Sequence, residues 1–508
     1  MIIVLRFSNQ HLKIIYYFKS CCLKEKVLLE KYRNYILEFQ NVLKNFSYTL
    51  IYQILALILP IVTVPYVTRI LNQDLVGLNS IIQANCSYFE LVGTLGINLL
   101  GPREIAKCLG NKKKLSETFF SIYKIQFLMH LIIMVIYIIY VMLFVKQKIA
   151  IFYLIYLLAY MFDISWLYIG LEDFKSVTVR NVFIRLLGFF LLIFLVRKPT
   201  DIYAYIITLY GPQILINIYM WLLALKKHVR LYYKKGIDKC YFIEAVSLFV
   251  PQIASSVYTV LDKTVLGIYS TYTMAAIYTQ GQTLLQLIYA IVPSFCKVMA
   301  PRISNCIKRN AQMEIYKYMK MSCHVIGFIS FLLFFGLLSC AKLFVEWYLP
   351  QEYAYTANVL CICSPIIIMV SGANLISIEY LIPLGKQQKY TISVIASAMV
   401  NLILNLSLTP TLGMYGVCIG SVVAESIGLF IQLIYVRKYL NLRDLFAGIQ
   451  IYMIAGIIMF IVLQSIKIYV KATLVGLIII ALVGIIIYVS TILIIKWAQN
   501  KCNFEKSV

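Results

Sequence analysis

From Asn45 onward the sequence is a succession of apolar segments, each about twenty residues or longer, separated by short polar or basic stretches. In hydrocarbon every backbone N–H and C=O must be satisfied by the spanning structure itself, so such segments fold only as helices or as a closed barrel. Barrel strands alternate polar and apolar positions over about ten residues. These segments are longer and continuous in Ile, Leu, Val, Phe and Tyr, so helices are expected. At a rise of about 1.5 Å per residue, about twenty residues cross a hydrocarbon core of roughly 30 Å. Composition agrees: 62% of residues are hydrophobic and 13% charged, with mean hydropathy +0.85. Soluble domains are about 45–50% apolar and about 25% charged.

The expected fold is an all-α integral membrane protein of about 14 transmembrane helices. The segments fall at roughly 47–69, 76–100, 118–145, 149–169, 179–197 and 202–225, then 243–268, 274–296, 322–346, 357–383, 389–410 and 413–436, and finally 446–466 and 472–495. This organises the chain as a six-helix lobe (46–225), a basic linker (226–241), a second six-helix lobe (242–437), two peripheral helices (446–495) and a tail (496–508). Residues 1–45 carry eight Lys or Arg and no run long enough to span. They lack an h-region followed by a cleavage site. They are expected to be a cytoplasmic extension, either an interfacial amphipathic segment or sequence upstream of the true start. No second Met precedes Met129, so a later start needs a non-Met codon such as that of Val27.

The formal net charge of +25 raises nucleic acid as a partner, and its placement argues against that. With the amino end inside, the loops 1–45, 101–117, 170–180, 226–241, 297–320, 384–390, 437–445 and 496–508 hold 35 of the 46 Lys and Arg. The opposite loops and their edges hold eight. This is the positive-inside pattern, with both termini cytoplasmic and the basic loops beside anionic headgroups. The outer loops are short, so no large extracellular domain is expected, and no GxxxxGK[ST] phosphate loop occurs. The thirteen cysteines show no CxxC pair and no metal-ligand spacing, and read as small core residues.

One segment stands apart. Read as a single helix, Val76–Leu100 carries Asn79, Gln83, Ser87, Glu90, Thr94 and Asn98 at spacings of three and four, which puts all six on one face. It closes with Gly101-Pro102-Arg103-Glu104, read as a helix stop. A membrane helix wet along one face either packs on polar partners or lines a path. Shifting the sequence by 199 lays this segment on the eighth: Asn79, Gln83, Ser87 and Glu90 fall on Tyr278, Gln282, Gln286 and Tyr289, and Pro102-Arg103 falls on Pro301-Arg302. An even number of helices per half gives a parallel repeat, with two lobes about an axis along the membrane normal and substrate between them. The paired stripes are expected to face each other across that cavity. Pro60 and Pro65 in the first segment and Pro251 in the seventh permit kinks, and Pro251, Ser255, Tyr258 and Asp262 share one face of the seventh.

Several local patterns carry a resemblance. They are Leu59-Pro60 through Val64-Pro65-Tyr66 to Arg69-Ile70-Leu71, Gly101-Pro102-Arg103-Glu104, and Trp166 to Gly170-Leu171-Glu172-Asp173-Phe174-Lys175. Tyr258 to Leu261-Asp262-Lys263, Pro383-Leu384-Gly385-Lys386, Asn401 to Asn405, and Gly413 to Gly416 with Glu425 complete the set. Together, from about Asn45 to Tyr439, the chain resembles the polysaccharide repeat-unit flippases of the multidrug/oligosaccharidyl-lipid/polysaccharide exporter superfamily. The resemblance implies fourteen helices in two lobes plus two. It also implies a bacterial cell membrane and movement of undecaprenyl-diphosphate-linked oligosaccharide from the inner to the outer leaflet by alternating access, without catalysis. Glycosyltransferases and a polymerase of the same pathway are the implied partners. A drug or cation antiporter and a peptidoglycan lipid-precursor flippase of the same superfamily are the alternatives; an integral glycosyltransferase or polymerase fits the short outer loops less well.

Such a cargo needs hydrogen-bonding side chains for its sugars and cations for its diphosphate, because unpaired hydroxyls and charges are costly in hydrocarbon. The stripe residues Asn79, Gln83, Ser87 and Glu90, with Gln282 and Gln286, are candidates for the sugars. Arg69, Lys124, Arg185 and Lys263 are candidates for the diphosphate, since ionisable groups at membrane depth are functional candidates by default. Glu90, Asp163, Asp262 and Glu425 are candidates to pair with those bases or to bind a coupling proton or sodium ion. No cofactor is expected. The competing readings are interhelical glue for the stripe, a structural pair for Asp262-Lys263, snorkelling to headgroups for Lys124 and Arg185, and packed or interfacial roles for His130 and His324.

Overall fold

The computed structural model describes residue 53, residues 55–232 and residues 238–505, excluding the side chains of residues 250–251, 254–259 and those beyond 499. The predicted extension 1–45 lies outside the described residues, and of the predicted seventh-helix face only Asp262 has a described side chain. Every regular element among the described residues is helical. In the first half these are α1 (Leu55–Ile70), α2 (Gln73–Thr94), α3 (Ile97–Ala106), α4 (Lys112–Val145), α5 (Lys148–Gly170, in three short pieces), α6 (Phe174–Leu195) and α7 (Ile202–Lys227). The second half has α8 (Lys239–Tyr269), α9 (Tyr272–Lys308), α10 (Gln312–Tyr348), α11 (Gln351–Cys363), α12 (Ile366–Leu381), α13 (Gln387–Leu412) and α14 (Met414–Val436). Then come α15 (Gln450–Tyr469) and α16 (Leu474–Glu505).

Among the described residues ten helices are long and apolar enough to cross a membrane, or eleven with α11 and α12, bent by 46°, taken as one span. The sequence predicts about fourteen. The remaining segments, the first, second and seventh, are helical as α1, α2 and α8 and are not among the ten; in α2 the polar stripe itself lowers the hydropathy.

The predicted helix Val76–Leu100 is two helices. α2 ends at Thr94, and Leu95 and Gly96 take left-handed backbone, with φ of 46° and 73°. Left-handed residues close helices by satisfying late carbonyls, and here the Leu95 N–H bonds the Leu91 carbonyl at 3.2 Å. Only glycine fits at 96, since a Cβ would stand 2.6 Å from the Ala245 carbonyl oxygen. Gly101-Pro102-Arg103-Glu104 is not a stop but the body of α3. Pro102 lies in the second turn of a short helix, where it removes one backbone bond without ending the element. Asn98 therefore leaves the stripe and is exposed on α3.

The start of α2 and of α9 repeats closely. Asn72 caps α2 through its side-chain oxygen on the Asp74 N–H at 2.8 Å, and Thr271, 199 residues on, caps α9 on the Met274 N–H at 3.3 Å. Helix contacts in a bilayer gain little from apolar burial, because lipid tails are as apolar as leucine; close approach of small residues and interhelical hydrogen bonds take over. α14 shows this with Gly416, Gly420, Ala424 and Gly428 at intervals of four. A Cβ on Gly420 would stand 2.4 Å from Asn405 Oδ1 and one on Gly428 2.4 Å from Ser397 Oγ, both on α13. α15 and α16 pack on α10, where Tyr488 donates to the Phe328 carbonyl at 3.0 Å and Gly456 admits the Phe335 ring.

The two ends of the bundle differ. At the end with the Leu71–Asn72 and Pro199 turns, one continuous core takes residues from both halves, from Val64 and Val76 through Tyr278 and Tyr348 to Val417. At the end with the Gly110 and Gly385 turns there are two separate cores. One holds Ile97, Phe119, Trp166 and Ala224; the other holds Cys296, Met319, Leu381 and Val436. From the second half of the chain, α8 adds buried Ala245 to the first-half core, with Tyr241, Phe242, Leu248 and Phe249 packed against it.

Candidate functional site

The halves meet along α2. Asp74 accepts the Thr273 hydroxyl at 2.5 Å. A Cβ on Gly77 would overlap the Tyr272 carbonyl oxygen at 1.7 Å, and one on Gly267 would press Ile81. Farther along, the Thr264 hydroxyl lies 3.2 Å from both Asn85 Oδ1 and the Tyr88 hydroxyl. Asp74, Gly77, Ile81, Asn85 and Tyr88 thus form the face toward the second half. At about 100° per residue, the stripe Asn79, Gln83, Ser87, Glu90 and Thr94 is centred roughly 160° away around the helix. The expectation that the stripe looks across to its partner is therefore corrected: in this conformation it faces the interior of its own half. A single sequence shows which residues share a face and not which neighbour that face meets.

Inside the first half, Tyr153 donates to Asn79 Oδ1 at 2.9 Å and Gln83 donates to the Tyr210 hydroxyl at 2.8 Å. Ser87 bonds back to the Ala84 carbonyl at 2.7 Å, and Glu90 accepts the Thr94 hydroxyl at 2.8 Å. Glu90 lies within electrostatic reach of Asp163 and Tyr160. Beyond them is the centre of this half, Arg180 on α6. It donates to Asp163 Oδ2 at 2.5 Å, twice to Asn217 Oδ1 at 3.1 and 3.0 Å, and to Asn181 Oδ1 at 3.1 Å. Asn217 is itself held by the Ala159 carbonyl at 2.8 Å, and the second Asp163 oxygen accepts the Ser165 N–H at 2.8 Å. A buried ion pair breaks even only when its remaining donors and acceptors are met, and here they are. The Arg180 side chain is 7% exposed and that of Asp163 18%.

This pair forms one wall of a cavity of about 420 Å³ between α1, α5, α6 and α7. Tyr160, Asn181, Arg185 and Gln213 add polar groups to it. Arg185 can pair with anionic oxygens and the tyrosine, asparagine and glutamine can bond hydroxyls, whereas the N–H groups of Arg180 are engaged by Asp163, Asn181 and Asn217. The helices bordering it carry exposed apolar side chains, Ile58 and Ile61 on α1 and Phe183, Leu186 and Phe190 on α6. An apolar rim beside a polar cavity suits an amphiphile.

The second half holds a different cluster. Asp262 accepts from Tyr278, from Asn405 at 2.7 Å and from Ser421 at 2.9 Å. Gln282 donates to the Tyr278 hydroxyl at 2.8 Å, and Asn405 donates to Asn401 at 3.1 Å. Four helices, α8, α9, α13 and α14, thus converge on one carboxylate.

The structure brings Glu90, Asp163 and Arg185 together in the first half and Asp262 and Gln282 in the second. Lys263 is half-buried beside Asp262, and Glu425 is half-buried within electrostatic reach of Tyr289 and Tyr390. Lys124 is half-buried on α4. Gln286 is exposed on α9. Arg69 is exposed and donates to the Trp347 and Tyr348 carbonyls at 3.4 Å, bridging the halves at the shared-core end. His130 is buried against Gly93, with Nδ1 2.9 Å from the Gln126 carbonyl, and His324 meets the Tyr452 hydroxyl at 3.3 Å. Sequence reasoning missed Arg180 and Asn217. Arg180 is counted there as a loop cation, but α6 begins at Phe174 and carries it inward. Its signal is the run Arg180-Asn181-Arg185 spaced along one helix.

A family model for polysaccharide biosynthesis proteins matches residues 42–307. A candidate O-antigen transporter of Shigella dysenteriae is 25% identical over 376 residues, covering 72% of this chain and 92% of its own. One of Escherichia coli (strain K12) is 22% identical over 407 residues, covering 78% and 96%. Among solved structures, the lipid II flippase MurJ in an inward closed conformation superposes with a TM-score of 0.71 at 16% identity, covering 90% of this chain and 99% of that one. An inward-facing multidrug resistance transporter of the MATE family gives 0.56 at 12% identity, covering 77% and 99%. Both share the helical fold. The match over more than half of the chain agrees with the motif resemblance: the chain belongs to the polysaccharide biosynthesis protein family.

Proposed function

We propose that this membrane protein is a flippase, carrying oligosaccharide repeat units on undecaprenyl diphosphate from the inner to the outer leaflet of a bacterial cytoplasmic membrane for surface polysaccharide assembly. It is a transporter rather than an enzyme, as its relatives are named. The observation that carries the reading is the first-half cavity. Arg185 faces it for the diphosphate beside the Arg180–Asp163 pair, Tyr160, Asn181 and Gln213 face it for hydroxyls, and its apolar helix rim leaves the prenyl tail in lipid. Glycosyltransferases and a polymerase supply and consume the cargo.

The mechanism is alternating access between lobes 46–225 and 242–437. With both termini cytoplasmic, as the basic loops imply, the shared core and the Asp74–Thr273 contact lie at the outer face and the two separate cores at the inner face. Such a state is closed outward and accepts cargo from the inner leaflet. Return requires the α2–α9 contact to open and the inner cores to approach, with α8 as the pivot: its first turns pack on α3 through Arg103 and Glu244, and its later turns belong to the Asp262 cluster. Moving about two negative charges outward gains roughly 4–5 kcal/mol at about 100 mV inside negative, so the membrane potential assists export. Glu90, Asp163 held by Arg180, Asp262 and Glu425 are the candidate places for a coupling proton or sodium ion.

A deletion strain tests this directly. Lipid-linked repeat units trapped on the cytoplasmic side, with loss of the surface polymer, are expected. Drug sensitivity with intact polymer would instead make the protein a drug exporter, and lethality from peptidoglycan failure would make it a lipid-precursor flippase.

A further inference from the structure

One fully buried carboxyl group lies outside both clusters. Glu379 on α12 is fully buried, with 0% of its surface exposed. Neither carboxyl oxygen has a hydrogen bond of normal geometry. It is not ion-paired with any described residue. Its polar neighbours are the Ser322 hydroxyl on α10 and the Cys296 thiol on α9, with Cys323 of α10 also in reach. All three are neutral groups. The surrounding core is Val292, Ile303, Met319, Leu375 and Leu381. His324 on α10 meets the Tyr452 hydroxyl at 3.3 Å.

The backbone at this point is unusual too. Ser377–Leu381 is a π-helical turn, with the Ile382 N–H bonded to the Ser377 carbonyl at 2.9 Å. An inserted π-turn re-aims side chains and recurs at functional sites; here it turns Glu379 into the packing between α9 and α10. That place does not need a carboxyl group for packing. In the first half, where α3 meets the end of α5, the packing is closed by Trp166, whose indole donates to Gln126 at 2.9 Å. An aromatic ring with one satisfied donor does the packing there. An ionised carboxylate in the second-half position would lose its hydration with no cation in return, so the side chain fits this place only as the neutral acid.

We infer that Glu379 is a proton-binding site: its carboxyl holds a proton in this conformation and releases it to water when α9, α10 and α12 part at the Gly385 end. The O–H bond breaks, the carboxylate keeps the electron pair, and the proton leaves to the inner aqueous phase. Resting on the alternating-access reading above, uptake of a proton from the outer phase in the opposite conformation, followed by this inward release, makes one proton per cycle a coupled ion and places its site in the second half, apart from the cargo cavity in the first.

The test uses the full-length protein in lipid nanodiscs and in proteoliposomes. Infrared spectroscopy at neutral pH should show the C=O band of a protonated carboxyl that is lost in Glu379→Gln and kept in Glu352→Gln, a change at an exposed carboxylate. Gln matches the shape of the neutral acid, so the variant should fold, and its size-exclusion profile checks this. In proteoliposomes holding a fluorescent undecaprenyl-diphosphate-linked oligosaccharide, with the membrane potential clamped to zero, an imposed pH gradient should change the wild-type flipping rate. The E379Q rate should lose that dependence. Absence of a protonated-carboxyl band assignable to Glu379 overturns the proposal, whatever the flipping rate. Retained gradient dependence in E379Q overturns its coupling. A band present in a protein that flips nothing supports the proton site while removing the flippase reading, so the two failures are distinct.

Discussion

Thr273 donates its hydroxyl to Asp74 at 2.5 Å, and the two residues occupy the same place in the two halves, 199 positions apart. Asn72 and Thr271, the helix caps two residues before each, are spaced identically. The proposed outer gate is built on this contact. Replacing both residues by cysteine in a background lacking other reactive thiols should allow a cross-link that stops transport under oxidant and restores it under reductant. Full transport by fully cross-linked protein would remove the contact from the gate.

Gly77 makes the same junction sterically possible, since any side chain there meets the Tyr272 carbonyl. Gly77→Val should weaken the closed-outward state by about 1–3 kcal/mol, the usual cost of overpacking. Labelling of a cysteine at position 273 by an impermeant reagent from the outside would rise. Unchanged labelling would show that α2 and α9 are not the closing surface.

The Arg180–Asp163 pair should behave as a unit. Arg180→Gln alone leaves a mostly buried carboxylate without its cation and should cost roughly 3–5 kcal/mol in folding stability. Adding Asp163→Asn should recover much of that in a thermal melt. The double variant should nevertheless flip poorly, because the guanidinium at the cavity wall is gone. A double variant as active as wild type would reduce the pair to a structural role.

Arg185→Ala tests the cavity without breaking that pair. Loss of one charge-assisted contact to a diphosphate, about 1.5–3 kcal/mol, predicts a roughly 10- to 150-fold weaker apparent affinity for cargo with little change in melting temperature. An unchanged affinity would place the diphosphate elsewhere.

How much of this is legible in the sequence depends on which physical term writes it. Helix positions are legible because each long apolar run must satisfy its own backbone: among the described residues the predicted segments fall on helices, with Val76–Leu100 split in two, and ten or eleven helices are long and apolar enough to cross a membrane. The caps and the 199-residue offset survive as local chemistry. The break at Leu95–Gly96 is less legible, since the stripe's period continues through it and only the approach of Ala245 demands glycine. The direction of the stripe is set by tertiary packing, by Tyr153 and Tyr210 on one side and Tyr272 on the other. Arg180 is hidden by the topology signal itself: a base near a helix end reads as an inside marker unless the helix starts six residues earlier. Glu379 leaves no pattern at all, being a single carboxylate in an apolar run.

On the proposed function, this chain moves a polyprenyl-diphosphate-linked oligosaccharide across a bilayer. Purified protein in proteoliposomes carrying a fluorescent undecaprenyl-diphosphate-linked oligosaccharide measures it, through quenching by a membrane-impermeant reductant. The account predicts that label confined to one leaflet becomes accessible in the other only when protein is present, and more slowly with Arg185→Ala. Label that stays in its original leaflet, with intact and correctly folded protein in the vesicles, would contradict it.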